Sequence, residues 1–120
     1  MIKTFRDLEV YQEAYKLMLL IHQEVIKFPI YERLDLASQT RRASKSIPTN
    51  IVEGWTKRNH EKDFKRYLDI ALGSTNEMQV HVEIARDLGY WNKDFCENLL
   101  NRYKVLGCRL AKLRTNWKTF

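Results

Sequence analysis

The chain is written almost throughout in a helical period. Apolar side chains recur every three or four positions from Leu8 to Trp117, and the residues that break helices, two prolines and four glycines, stand at or near the ends of those runs or at isolated points within them. No stretch alternates apolar and polar residues as a half-buried strand does, so the pattern predicts an all-α fold.

Four runs follow from the spacing. In the first, Leu8, Tyr11, Ala14, Met18, Ile21, Val25 and Phe28 share a face, with Asp7 placed to cap the start and Pro29 to stop the end. A second helix should start near Tyr31 or Glu32 and carry Leu34, Ala37, Thr40 or Arg41, Ser44 and Ile47 or Pro48 inward, a stripe thin in large side chains. Pro48 has no amide hydrogen and crowds the carbonyl of Ser44, so this helix must end or kink there; a kink is the expected outcome, because Ile51 and Val52 resume the apolar face. Gly54 then offers either a left-handed stop or a point of close packing. The third helix is expected from a cap at Asn59 to Leu88, with Phe64, Ala71, Thr75, Met78 and Val82 inward and Gly73 marking a close backbone contact. Asn92 should cap the fourth, whose Phe95, Leu99, Tyr103, Leu106, Leu110, Leu113 and Trp117 form the clearest heptad in the chain.

At 120 residues, 44% of them hydrophobic, the chain fits one domain spanning 1–120. Long helices on short connections predict an antiparallel up-down-up-down four-helix bundle with helix two kinked at Pro48. The longest apolar run, Leu17 to Ile21, is far below the roughly 20 residues of a membrane span and follows acidic residues, unlike a secretory leader. A cytoplasmic protein is therefore expected, with no membrane partner. Cys96 and Cys108 lie about 18 Å apart along one predicted helix, beyond disulfide reach, and read as reduced thiols.

Charge is concentrated. Residues 41–66 carry eight basic and three acidic side chains and residues 102–120 six basic and none acidic, whereas residues 67–101 sum to −4. In an antiparallel bundle the end of helix two, the start of helix three and the end of helix four share one pole. That pole would gather Lys57, Arg58, Lys62, Lys65 and Arg66 with Arg109, Lys112 and Arg114. A basic pole of this kind attracts polyanions, nucleic acid first among them; the plainer alternative is that these cations solvate a surface or offset helix dipoles. Arg41 and Arg42 sit about 100° apart around their helix, so one of them should face a seam, pairing with a carboxylate such as Glu53 or Glu77 or with a neighbouring subunit.

Catalytic patterns are missing. There is no glycine-rich phosphate loop, nucleophile elbow or His-Glu-x-x-His motif. Glu77 and His81 share a helical face, but a di-metal bundle needs Glu-x-x-His twice with further carboxylates. Neither an enzyme, nor a metal, nor a cofactor is expected.

The segments FRDLEVYQEAY, FPIYERLDLASQTRRASKSIPTNIVEG and FKRYLDIALGSTNEMQVHVEIARDLGY, with the final heptad helix, resemble the 23S rRNA-intervening-sequence protein family over nearly the whole chain. The sharpest part is Gln39, Arg41, Arg42, Ala43, Ser46, Ile47, Pro48, Asn50, Ile51, Glu53 and Gly54, followed by Gly73, Ser74, Glu77 and the Leu88, Gly89, Tyr90 turn. Some members of that family are encoded inside intervening sequences of bacterial 23S rRNA genes. The resemblance implies a four-helix bundle assembled as a homopentamer, similar in shape to the accessory variability determinant of diversity-generating retroelements, a basic pentamer that binds nucleic acid and a reverse transcriptase. It implies subunit-interface or structural roles for Arg41, Arg42, Pro48, Asn50, Glu53 and Gly73. The function expected is a non-enzymatic, oligomeric bundle that binds RNA or DNA through backbone phosphates with little sequence preference. The alternative is a scaffold whose basic pole docks an acidic partner, such as a co-encoded protein.

Overall fold

The four helical runs fold into four helices, α1 (Glu9–Glu24), α2 (Leu36–Thr56), α3 (Glu61–Asp87) and α4 (Lys93–Asn116), in a computed structural model that describes residues 1–117. Three 3-10 turns, Phe5–Asp7, Val25–Lys27 and Ile30–Glu32, flank α1 and lead into α2; no strand occurs among the described residues. The molecule measures 50 × 25 × 21 Å, one long helix by about two helix diameters.

Several ends differ from the sequence expectation, each for a local reason. Asp7 does not cap α1. Its carboxylate instead accepts the Lys3 and Thr4 amides (2.7 and 2.9 Å) in a capping box around the first 3-10 turn, and those bonds, Thr4 foremost, hold its pKa below the ordinary value. α1 gives way at Val25 to a 3-10 turn that carries the chain to Phe28 and Pro29. α2 starts at Leu36 and not near Tyr31, leaving Leu34 exposed. Pro29 opens a run of short-range bonds in which the Glu32 and Arg33 amides reach back to Pro29 and Ile30, while the Glu32 carboxylate accepts both the Tyr90 hydroxyl at 2.8 Å and the Leu36 amide at 3.4 Å. Asn59 does not cap α3, because α2 runs past Gly54 to Thr56 and the turn that follows puts His60 at the cap position with no side-chain bond. The Asn92 cap does form, its Oδ1 accepting the Phe95 amide at 2.8 Å. Gly89 adopts φ +76° to end α3, with the Tyr90 amide reaching back to Ala85 O at 2.8 Å.

Pro48 lies inside α2 and does not end it. Just beyond it, Thr49 Oγ1 donates to Lys45 O and Asn50 Nδ2 to Ser46 O, at 2.9 and 2.8 Å, so side chains bond carbonyls next to the position where the amide is missing. The thin inner stripe of α2 holds Thr40 and Ser44, both fully buried, with hydroxyls that donate to Leu36 O and Arg41 O of the same helix. Small side chains let α3 come close. A Cβ at Gly54 would lie 3.2 Å from Tyr67 Cβ and 3.3 Å from Phe64 O, and Ser74 Oγ donates to Ser46 Oγ at 2.8 Å. Gly73, expected to mark such a contact, has none: a Cβ there would meet nothing within 4 Å. The close approach of α3 to α4 is at Gly107, where a Cβ would lie 3.3 Å from Thr75 Oγ1.

Contacts between elements set their order in space. The last turns of α2 (Gly54) meet the first turns of α3 (Phe64, Tyr67), and Arg114 near the end of α4 pairs with Asp69 early in α3. Glu9 meets Arg109 and Glu13 meets Arg102, while the carbonyl of Glu24 accepts Trp91 Nε1, so position along α1 rises as position along the Trp91–α4 segment falls. The core runs the length of the bundle through Leu17, Ile21, Ile47, Ile51, Phe64, Leu68, Met78, Leu99, Tyr103, Leu106 and Leu110. The heptad on α4 is buried at its centre and half-buried at Phe95, Leu113 and Trp117. Cys96 is buried, which pushes its thiol pKa up, and Cys108 is exposed; neither forms a disulfide.

Leu110 is 0% exposed, so Leu110→Asp should remove more than about 4 kcal/mol, enough to unfold a domain of ordinary stability, seen as loss of the helical circular-dichroism signal. Gly89→Ala should lower stability by about 1–2 kcal/mol in urea melts, because a Cβ is strained at positive φ even where space is open.

Candidate nucleic-acid interface

The basic pole is organised by aromatic rings. Trp55 closes α2, and the Arg58 guanidinium lies 4.4 Å from its ring while Nη1 donates to Trp55 O at 2.9 Å. Trp117, at the end of α4, packs against Phe64 (4.5 Å between centroids) and Trp55 (6.2 Å), and its Nε1 donates to Arg58 O at 3.2 Å. The end of α4 is thereby fixed against the connection between α2 and α3.

The cations divide into two groups around that aromatic plug. Lys57, Arg58, Lys62, Lys65 and Arg66 follow one another through the connection and the first turns of α3. Arg114 is turned toward the same helix through its ion pair with Asp69. Arg109 and Lys112 instead border a hollow with Asp7 and Glu9 at the foot of α1, Arg109 lying 4.0 Å from Glu9. Lys118, counted in the basic tail, lies outside the described residues.

Most of these side chains already have partners. Lys65 pairs with Glu61 at 3.2 Å; Arg66 reaches Asp63 at 3.9 Å and covers the Tyr67 ring at 4.9 Å. Glu61 and Asp63 occupy the first turn of α3, where the helix dipole favours carboxylates, so acid is interleaved with the base. Lys57, Lys62 and Lys112 form no ion pair among the described residues, and Lys62 and Lys112 are exposed. Exposed pairs such as these contribute little to stability and exchange readily for a phosphate.

The residues of the central motif have separate fates. Arg41 pairs with neither Glu53 nor Glu77; its Nη2 donates to Arg33 O at 3.3 Å, because the late start of α2 leaves that carbonyl open beside it. Arg42 and Glu53 are exposed, Pro48 is buried, and Asn50 bonds Ser46 within its own helix. Glu77 Oε2 lies 3.0 Å from His81 Nε2, and among the described residues no group of three His, Cys, Asp or Glu side chains is placed to hold a metal. No helix among those residues is long and apolar enough to cross a membrane. The locking role of Trp55 and Trp117 is not readable from the heptad; its only trace in the sequence is the tryptophan placed one helical turn before an arginine, Trp55 before Arg58.

A helical chain with this central motif matches the profile described as 23S rRNA-intervening sequence protein across residues 6–112. The chain belongs to that family. The match takes in α1, α2, α3 and most of α4, including both groups of cations except Arg114, which lies just beyond it. Among curated proteins no significant match is found. Family membership therefore fixes what kind of bundle this is, while its chemistry has to be argued from the side chains.

Arg58→Ala should lower stability by about 1–2 kcal/mol, since the stacking on Trp55 goes with the side chain, whereas Lys62→Ala should stay within about 0.5 kcal/mol of the parent. Paired thermal melts of the two variants check this.

Proposed function

We propose that this member of the family is a non-catalytic, self-assembling bundle that binds RNA or DNA through backbone phosphates with little sequence preference. The observation that carries the reading is the docking of Trp117 on Arg58, which brings the basic end of α4 to the basic connection between α2 and α3. Around that pole Lys57 and Lys62 are unpaired among the described residues, and Lys65 and Arg66 hold only exposed, exchangeable partners. Net acidic α3, by contrast, faces away along the body of the molecule from residue 69 onward. Cations placed on a connection and a first helical turn suit contact with phosphates, which positions a chain without reading sequence. Repetition of the pole around an assembly would multiply its field. The site is bacterial and intracellular in this reading, and the chain works without cofactor.

A second reading has its own support. Lys65, Arg66, Arg109 and Arg114 pair with carboxylates of the chain, so base and acid are interleaved at this pole, and such a mixed pattern suits docking to a protein surface that is acidic overall and can exchange those pairs. The two readings separate on salt and on partner: phosphate binding falls steeply with salt for unrelated sequences, and docking selects one co-encoded protein.

Changing Lys62, Lys65 and Arg66 together to Gln should weaken binding to generic duplex RNA or DNA and reduce the slope of log K against log salt by about 1 per side chain that contacts phosphate, with the helical signal kept. Fluorescence anisotropy across a salt series reads both quantities. An unchanged affinity and slope would remove these side chains from the site.

A further inference from the structure

Along the connection from α1 to α2, Ile26, Ile30 and Leu34 stand 81%, 84% and 84% exposed, with Tyr31 exposed among them. Exposed aliphatic side chains are ordinary one at a time; several on one short connection make a patch of the kind that partners cover. The backbone beneath them is tied down. The Phe28 amide donates to Val25 O, Glu32 to Pro29 O, Arg33 to Ile30 O and Asp35 to Glu32 O, while the Phe28 ring packs on Trp91 with centroids 4.8 Å apart. A patch held in one shape spares its partner the cost of ordering it.

Behind this rim lies a hollow of about 330 Å³, walled by Ile26, Pro29, Ile30 and Ala37, in which Arg33 and Arg41 are the charged lining residues. Arg41 Nη2 donates to Arg33 O at 3.3 Å, so the two residues meet at one wall, and neither forms an ion pair among the described residues. The carboxylates nearby in sequence are engaged elsewhere: Glu24 with Lys27 at 3.1 Å, Glu32 with the Tyr90 hydroxyl and the Leu36 amide, and Asp35 with Gln39 Nε2 at 3.0 Å. None of the three lines the hollow. Its walls are therefore apolar and its charge is positive without compensation.

We infer that this hollow docks a protein segment in which an aliphatic side chain stands beside a carboxylate. The aliphatic group fills the space between Ile26, Pro29 and Ile30, and the carboxylate lies against Arg33 and Arg41, whose guanidinium groups offer paired N–H donors. A bilayer suits the rim less well. Glu32 and Asp35 are interspersed with Ile30, Tyr31 and Leu34, so sinking the rim into lipid would bury carboxylates. Nucleic acid suits the hollow less well too, because its walls are aliphatic apart from the buried Phe28 and present no ring on which a base could stack. The surface lies at the opposite end of α2 from the basic pole, about 30 Å along the helix, and is independent of the function proposed above.

The test selects short random peptides displayed on phage against the full chain, after removing those that also bind the Ile30→Asp variant, which clears ligands of the basic pole. Ile30 and Arg33 are exposed, so Ile30→Asp and Arg33→Glu should keep the helical circular-dichroism signal. The retained peptides should carry Leu, Ile or Val next to Asp or Glu. Made synthetically and followed by fluorescence anisotropy, they should bind the parent at least about tenfold more tightly than either variant. A selection that retains no peptide, retained peptides without that pairing, or an affinity unchanged by Arg33→Glu would overturn the proposal. So would phosphatidylglycerol vesicles that capture the parent and release the Ile30→Asp variant, since the rim would then belong to a lipid surface.

Discussion

The buried face of α2 is built from small side chains whose hydroxyls are satisfied inside their own helix, and the remainder of the bundle follows from that. Thr40 and Ser44 are fully buried, yet each donates to a carbonyl three or four residues back, so no polar group is left without a partner as α3 closes over them. Large side chains at these positions would hold the helices apart. With Gly54 against Tyr67 and Ser46 bonded to Ser74, α2 and α3 lie close together, and the larger residues of the core come chiefly from α3 and α4. The exceptions among the described residues are His81, whose Nδ1 is buried with no partner, and Tyr103, whose hydroxyl is likewise buried without one and whose pKa burial pushes upward.

That close pair also defines where charge can go. Because α2 and α3 are joined by a short turn, the base on either side of it must share one pole, and Trp117 adds the end of α4 by packing into the turn. The aromatic plug fixes the backbone from which the lysines project, and Arg58 serves that plug through its stacking and its carbonyl. Arginine and lysine therefore differ in role here: guanidinium groups stack or pair within the chain, whereas Lys57 and Lys62 form no ion pair among the described residues.

Helical period alone was enough to find all four helices and most of their inward residues, because a stripe such as Leu99, Tyr103, Leu106 and Leu110 leaves little alternative to a buried helical face. Helix ends were legible only where the signal is local: Asn92 caps its own turn and Gly89 takes the backbone angle that other residues resist. The ends at Leu36 and His60 were not legible. One follows from the short-range bonds that begin at Pro29, and the other from the passage of α2 through Gly54. Gly54 and Gly73 look alike in the sequence, yet one is pressed against Phe64 and the other stands in the open; only the packing of α2 on α3 tells them apart. The grouping of base could be read from segment charges, but which cations are already paired could not, since Asp69 finds Arg114 across two helices.

The seam between α1 and α4 is held partly by charge. Its ties include Glu13 with Arg102 and, at the outer end, Glu9 with Arg109, the latter open to solvent at 82% and 54% of their side-chain surface. Mobile ions screen an exposed pair of this sort, as they do Arg114 with Asp69 between α3 and α4, whereas the seam of α2 with α3 holds no ion pair among the described residues. Ionic strength thus acts as a local solvent for the first turn of α1, loosening its hold on α4 while the aromatic clasp of Trp91 keeps the other end shut.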